Sequence, residues 1–190
     1  MDILFYLATA CLVLFMLLAT YDGFYLHIWK YRLFDRDESL FEHKTHTVRA
    51  ILFPLIVWLL FIKETSSIAF GLGTLLVILD IIVLAIDAYH EKESRSFMGG
   101  LPTWEYIVHL FANSFHFAAI ILVFAIRLDV QDSTLIFVDH HVASQSYKLF
   151  QFVSVNVIPG AIVLALLHFI LTLEKPKIIW LNYRSKVTCC

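Results

Sequence analysis

Three carboxylate–histidine couples stand out in this chain: Glu42-x-x-x-His46, Asp87-x-x-His90 and Glu105-x-x-x-His109. Residues three or four apart share a face of a helix, so each couple presents an acid and an imidazole together. Oxygen and imidazole donors without thiolate suit iron, manganese or zinc rather than copper(I) or an iron–sulfur cluster. The pattern runs beyond the couples. Glu105, His109, Asn113 and His116 fall within about 80° of one another at 100° per residue. Glu42, His46 and Arg49 make a similar i, i+4, i+7 stripe, and Asp80 and Asp87 lie seven apart, with His90 and Glu91 extending that face.

The expected metal ligands are therefore Glu42, His46, Asp87, His90, Glu105, His109 and His116. Asp22, His27, His43, Arg49, Asp80, Glu91, Asn113 and His168 are expected beside them, as further ligands or as partners that orient the imidazoles. Asp87-x-x-His90 has the spacing of the Glu-x-x-His element of di-iron helical bundles, with Asp for Glu, and the donors suffice for two ions.

These side chains sit in an apolar chain. Of its 190 residues, 60% are hydrophobic and only 16% charged, and the mean hydropathy is +0.79. Soluble domains carry about 25% charge. The apolar residues come in blocks of spanning length, about 20 residues each, which predicts an all-α integral membrane bundle of five transmembrane helices. The expected ranges are 3–29, 39–62, 66–91, 103–127 and 147–173, in a single domain covering residues 1–190. Asp37 or Ser39 and Thr103 are the expected N-caps, and Gly99-Gly100-Leu101-Pro102 is a breaker. Pro54 and Pro159 should kink the second and fifth segments. Met1-Asp2 is no basic n-region, so the first block reads as a retained helix rather than a signal peptide.

Basic residues orient the bundle. Lys30, Arg32, Arg36, Lys44, Arg49, Lys92, Arg95, Lys175, Lys177, Arg184 and Lys186 fall on one side and only Lys63, Arg127 and Lys148 on the other. The positive-inside rule then places the N-terminus outside and the C-terminus in the cytoplasm. Trp29, Tyr31, Trp104, Tyr106, Trp180 and Tyr183 gather near the basic boundary, as an interfacial aromatic belt does. Threaded this way, seven of the nine histidines and nearly every intramembrane carboxylate lie toward the cytoplasmic face, leaving dry outer halves.

Ionisable groups in hydrocarbon cost a few kcal/mol each and persist when they pair, line water or bind something. The leading expectation is a membrane metalloprotein with a two-metal, iron-type centre. It would be an oxidoreductase acting on a membrane lipid or other apolar small molecule, with a redox partner; zinc or manganese would fit the same donors. A zinc-dependent lipid hydrolase is the runner-up. A haem-binding electron-transfer subunit, using His46 with His109 or His90, ranks below it, as do an ion or proton transporter and a plain buried ion-pair network. No catalytic residue is assigned, since no Ser or Cys nucleophile is paired with a base. The net charge of −2, with no basic patch on a solvated face, excludes nucleic acid as a partner. Asp139-His140-His141 reads as a solvated turn. Ala69, Gly71 and Gly73 with Ser67 read as close-packing positions, and Cys189-Cys190 as a weak acylation signal.

Overall fold

The structure is a computed structural model and describes residues 1–63, 66–138 and 144–188. Among the described residues are six α-helices: α1 (Asp2–Thr20), α2 (Leu40–Ile56), α3 (Ser67–Ser94), α4 (Thr103–Arg127), α5 (Gln145–Leu171) and α6 (Glu174–Thr188). Two π-helical segments prolong α1 and α2, at Tyr21–Lys30 and Val57–Ile62. Counting these extensions, five helices are long and apolar enough to cross a membrane. They coincide with the five expected blocks to within a few residues, save that the first runs on to Asp35.

α5 lies between α1 and α2; α4 packs on the other flank of α1, and α3 on that of α2. The core of one half of the bundle is largely apolar, with Thr9, Arg127 and Ser154 also buried in that half. Phe5, Leu12, Ile56, Val57, Leu60 and Phe150 form its centre, each at most 1% exposed. Between helices that span a bilayer such contacts hold by van der Waals packing rather than by escape from water. Gly73 lets α3 approach the π-helical end of the second span, where a Cβ would meet Leu60 Cδ2 at 2.6 Å; nothing lies within 4 Å of one at Gly71. Close packing is thus the role of Gly73 but not of Gly71.

Local structure departs from expectation at several points, each with a physical reason. Ser39 does not cap α2 with its side chain; its Oγ donates to Leu33 O at 3.0 Å, bracing the connection between the first two spans. Thr103 is the first residue of α4 and Pro102 takes the cap position. Ser66 and Ser144 cap α3 and α5 by accepting from Ala69 N and Tyr147 N. Pro54 cannot donate a backbone hydrogen bond, and the helix widens to π geometry three residues later. Pro159 is carried within α5 as assigned. Gly99 and Gly100 supply left-handed backbone between α3 and α4, at φ +83° and +114°.

Two elements were not expected. β1 (Leu128–Gln131) and β2 (Thr134–Phe137) form a hairpin after α4, turning through Asp132 and Ser133, both with positive φ as two-residue hairpin turns favour. α6 forms beyond residue 173 despite Pro176, because a proline in the first helical turn forfeits no internal hydrogen bond. It is held by Arg184, whose Nε donates to Trp29 O at 2.8 Å, and by Lys177, 3.4 Å from Asp35. Asp139-His140-His141 and Cys189-Cys190 lie outside the described residues.

Candidate metal centre

The polar side chains collect at one end of the bundle, where the first span ends, α2 begins, α3 ends and α4 begins. The π-helical segment decides what the first span contributes. Asp22 and His27 are five apart, which in an α-helix puts them about 140° apart. With i→i+5 winding, one residue lies nearly above the other, and His27 Nε2 comes within 3.3 Å of Asp22 Oδ1. Gly23 permits this packing: a Cβ there would meet His168 Nε2 at 3.3 Å, and its carbonyl accepts from that nitrogen at 3.2 Å.

Around His27 the other spans converge. His46 and His109 approach it with ring centroids 4.1 and 5.8 Å away. Asp22 Oδ1 is also 2.9 Å from His109 Nε2, and Glu91 bonds the other nitrogen of that ring. His46 Nε2 lies 3.0 Å from Asp87 Oδ2, and Thr45 donates to the second oxygen of the same carboxylate. Glu42 is fully buried and split between two tasks. Its Oε2 accepts from Arg95 at 2.7 Å, while its Oε1 has no hydrogen bond and stands 3.8 Å from both His27 Nε2 and His46 Nε2.

Arg95 is the residue the sequence reading missed. It was counted among the loop cations, yet it is fully buried, donating to Glu42, to Glu105 at 2.6 and 2.9 Å, and to His27 Nε2 at 3.2 Å. Burial works against its charge, but Glu42 and Glu105 outweigh that and raise its pKa above the ordinary arginine value. The available signal was the register: Ser94 lies seven residues beyond Asp87, so the polar face of α3 runs through Glu91 to the helix end and delivers Arg95 into the cluster. Thr45, two positions from His43 and three from Glu42, was missed as well.

A second group sits deeper. Arg49 Nε donates to Asp80 Oδ1 at 3.1 Å and Arg49 Nη2 to Asn113 Oδ1 at 2.9 Å, while His116 Nε2 meets Asp80 Oδ2 at 3.1 Å. His116 is thus tied to Asp80, apart from the His27 centre. His43 and His168 form a third group: their rings stack at 5.1 Å and His43 Nε2 donates to His168 O at 3.1 Å. His90 joins none of these. Its Nδ1 bonds Ile86 O and its ring packs on Phe41. Taken from Asp80 at 100° per residue, Asp87 and Glu91 fall within about 20° of that direction but His90 about 80° away. It is off the edge of the polar face, and the expected Asp87–His90 pair is corrected to Asp87–His46.

Among the described residues, two sets of three offer ligand atoms all within 4.8 Å of one another: Asp22, His27 and His46, and His27, Glu105 and His109. They share His27, and in the second Glu105 is held by Arg95. Beside the first set opens a cavity of about 300 Å³, whose wall includes Asp22, His46, Asp87, His109 and Arg49 along with Phe15, Phe53 and Leu164. No family model, curated protein or solved structure matches this chain.

Proposed function

We propose that this chain is an integral membrane metalloprotein, with its N-terminus outside and its polar end facing the cytoplasm, that holds a transition-metal ion between Asp22, His27, Glu42 and His46. The supporting observation is Glu42 Oε1. It is buried, unbonded and equidistant from two imidazole nitrogens at 3.8 Å, too far for hydrogen bonds. Ligands at about 2.0–2.2 Å from a common ion stand roughly 3–3.6 Å apart, so a small contraction around a cation satisfies all three atoms at once.

The oxygen and imidazole donors suit iron, zinc or manganese. A single ion fits better than the two-metal form, because a second would have to take His27 from the first; Glu105, bonded to Arg95 through Oε1 alone, keeps Oε2 free. Arg95, fixing Glu42 through Oε2, orients that ligand; binding through His46 Nε2 would exchange its contact with Asp87 for one with the ion. The cavity beside the site, mainly apolar with the acid and imidazole groups along one wall, gives an apolar substrate access to the ion. In that setting a metal would activate water for hydrolysis or, as iron, take part in oxidation. Haem is not favoured: His27 and Asp22 fill the space between His46 and His109. A through-membrane ion path is not favoured either, since the other half of the bundle is packed with apolar side chains.

Elemental analysis of the purified protein tests this. The wild type should carry about one transition-metal ion per chain, and Glu42→Gln and His46→Ala should lose it. Substoichiometric metal in the wild type, with thermal stability unchanged by chelation, would leave only the ion-pair network. The identity of the metal separates iron oxidation chemistry from zinc hydrolysis.

A further inference from the structure

α3 packs on α2 and α4 on α1, so the seam between α3 and α4 is joined mainly by side chains. It is pinned at its apolar end by Phe70 against Phe124, with ring centroids 5.2 Å apart. At its polar end it is pinned by Glu91 on His109 and by Arg95 on Glu105. Between these pins Asp80 on α3 bridges to His116 on α4 at 3.1 Å, and the seam opens between that bridge and Glu91. Ala88 on α3 and Tyr106 and Leu110 on α4 line the cavity and are also exposed on the outer surface, Tyr106 at 54% and Leu110 at 53%. Side chains that belong to both surfaces mark a lateral opening, one that faces hydrocarbon if the spans lie in a bilayer.

We infer that the α3–α4 opening admits a single-chain amphiphile with an uncharged polar end sideways from the bilayer, bringing that end to the Asp22–His46 wall; this rests on the metal-site reading above. Three observations select the class. The cavity volume of about 300 Å³ is at the small end for ligand pockets, about 300–1,000 Å³, enough for the reacting end of a chain but not for a two-chain lipid. The deep wall is apolar, with Phe15 packed 4.6 Å from the His116 ring. The polar wall carries Asp22, Asp80, Asp87 and Glu91, each already paired: Asp80 with Arg49 and His116, Asp87 with His46, and Asp22 and Glu91 with His109. An anionic head would have to break one of these pairs to find a cation; a hydroxyl, ester or amide would not.

The test uses the full-length, metal-loaded protein in lipid nanodiscs with two photoactivatable probes of equal chain length, an alkanol and an alkanoate, each carrying a diazirine near its head. Mass spectrometry should find the alkanol on Phe15 or Phe53 at about tenfold the yield of the alkanoate. Ala88→Trp and Leu110→Trp, both at exposed positions, should each abolish that labelling while labelling of Leu75 and Ile121 on the outer surface persists. Equal or stronger alkanoate labelling would overturn the assigned class, and cavity labelling undiminished in both Trp variants would overturn the route. Metal content measured on the same samples keeps the two readings distinct. Metal retained without cavity labelling sinks this inference alone; cavity labelling without metal sinks the metal site.

Discussion

Arg95 Nη1 donates to Glu42 Oε2 across 2.7 Å, joining the connection after α3 to the first turn of α2 with both side chains wholly buried. This bond and the one to Glu105 fix three segments around the candidate metal centre. Removing one partner of a buried ion pair strands the other, at a cost of about 3–5 kcal/mol. Arg95→Met should therefore lower the thermal unfolding midpoint in detergent more than any single substitution at the other cations at this end of the bundle, Lys92 included. A midpoint equal to that of Lys92→Met would show that the pair contributes nothing.

His46 and His90 give a paired contrast on metal. Both belong to acid–histidine couples in the sequence, but His46 meets Asp87 and Glu42 while His90 packs on Phe41. His90→Ala should keep wild-type metal content and change stability by no more than about 0.5 kcal/mol. Loss of metal from this variant would mean that α3 is rotated relative to its observed position.

Glu105 separates one ion from two. With a single ion at Asp22, Glu42 and His46, Glu105→Gln should leave the stoichiometry unchanged and cost about 1–3 kcal/mol through the weakened Arg95 contact. A fall from two ions to one in the elemental analysis would establish a dinuclear site and place Glu105 among its ligands.

The two glycines on α3 should respond oppositely. Gly73→Ala sets a methyl 2.6 Å from Leu60 and should destabilise by about 1–3 kcal/mol. Gly71→Ala meets nothing within 4 Å and should be neutral or stabilising by up to about 1 kcal/mol. Thermal unfolding of the two variants checks both signs. Equal shifts would show that α3 does not pack on Leu60 as described.

The five spans were legible because spanning blocks are a local property: each needs only its own run of apolar residues, and Pro102, Ser66 and Ser144 punctuate them at their ends. The meeting of acid and imidazole groups was legible in outline for the same reason, since the 3.6-residue period puts Glu42 with His46 and Glu105 with His109 on single faces. Which groups pair was settled by the tertiary structure alone. His27 comes to the centre through π winding between Tyr21 and Lys30, and no apolar period announces that. Arg95 is drawn inward because Glu42 and Glu105, 53 and 10 residues away, both need a cation. His90 could have been set aside from spacing alone, since it lies about 80° round α3 from Asp80 while Asp87 and Glu91 lie within about 20°; that His46 from α2 takes its place beside Asp87 is a fact of packing.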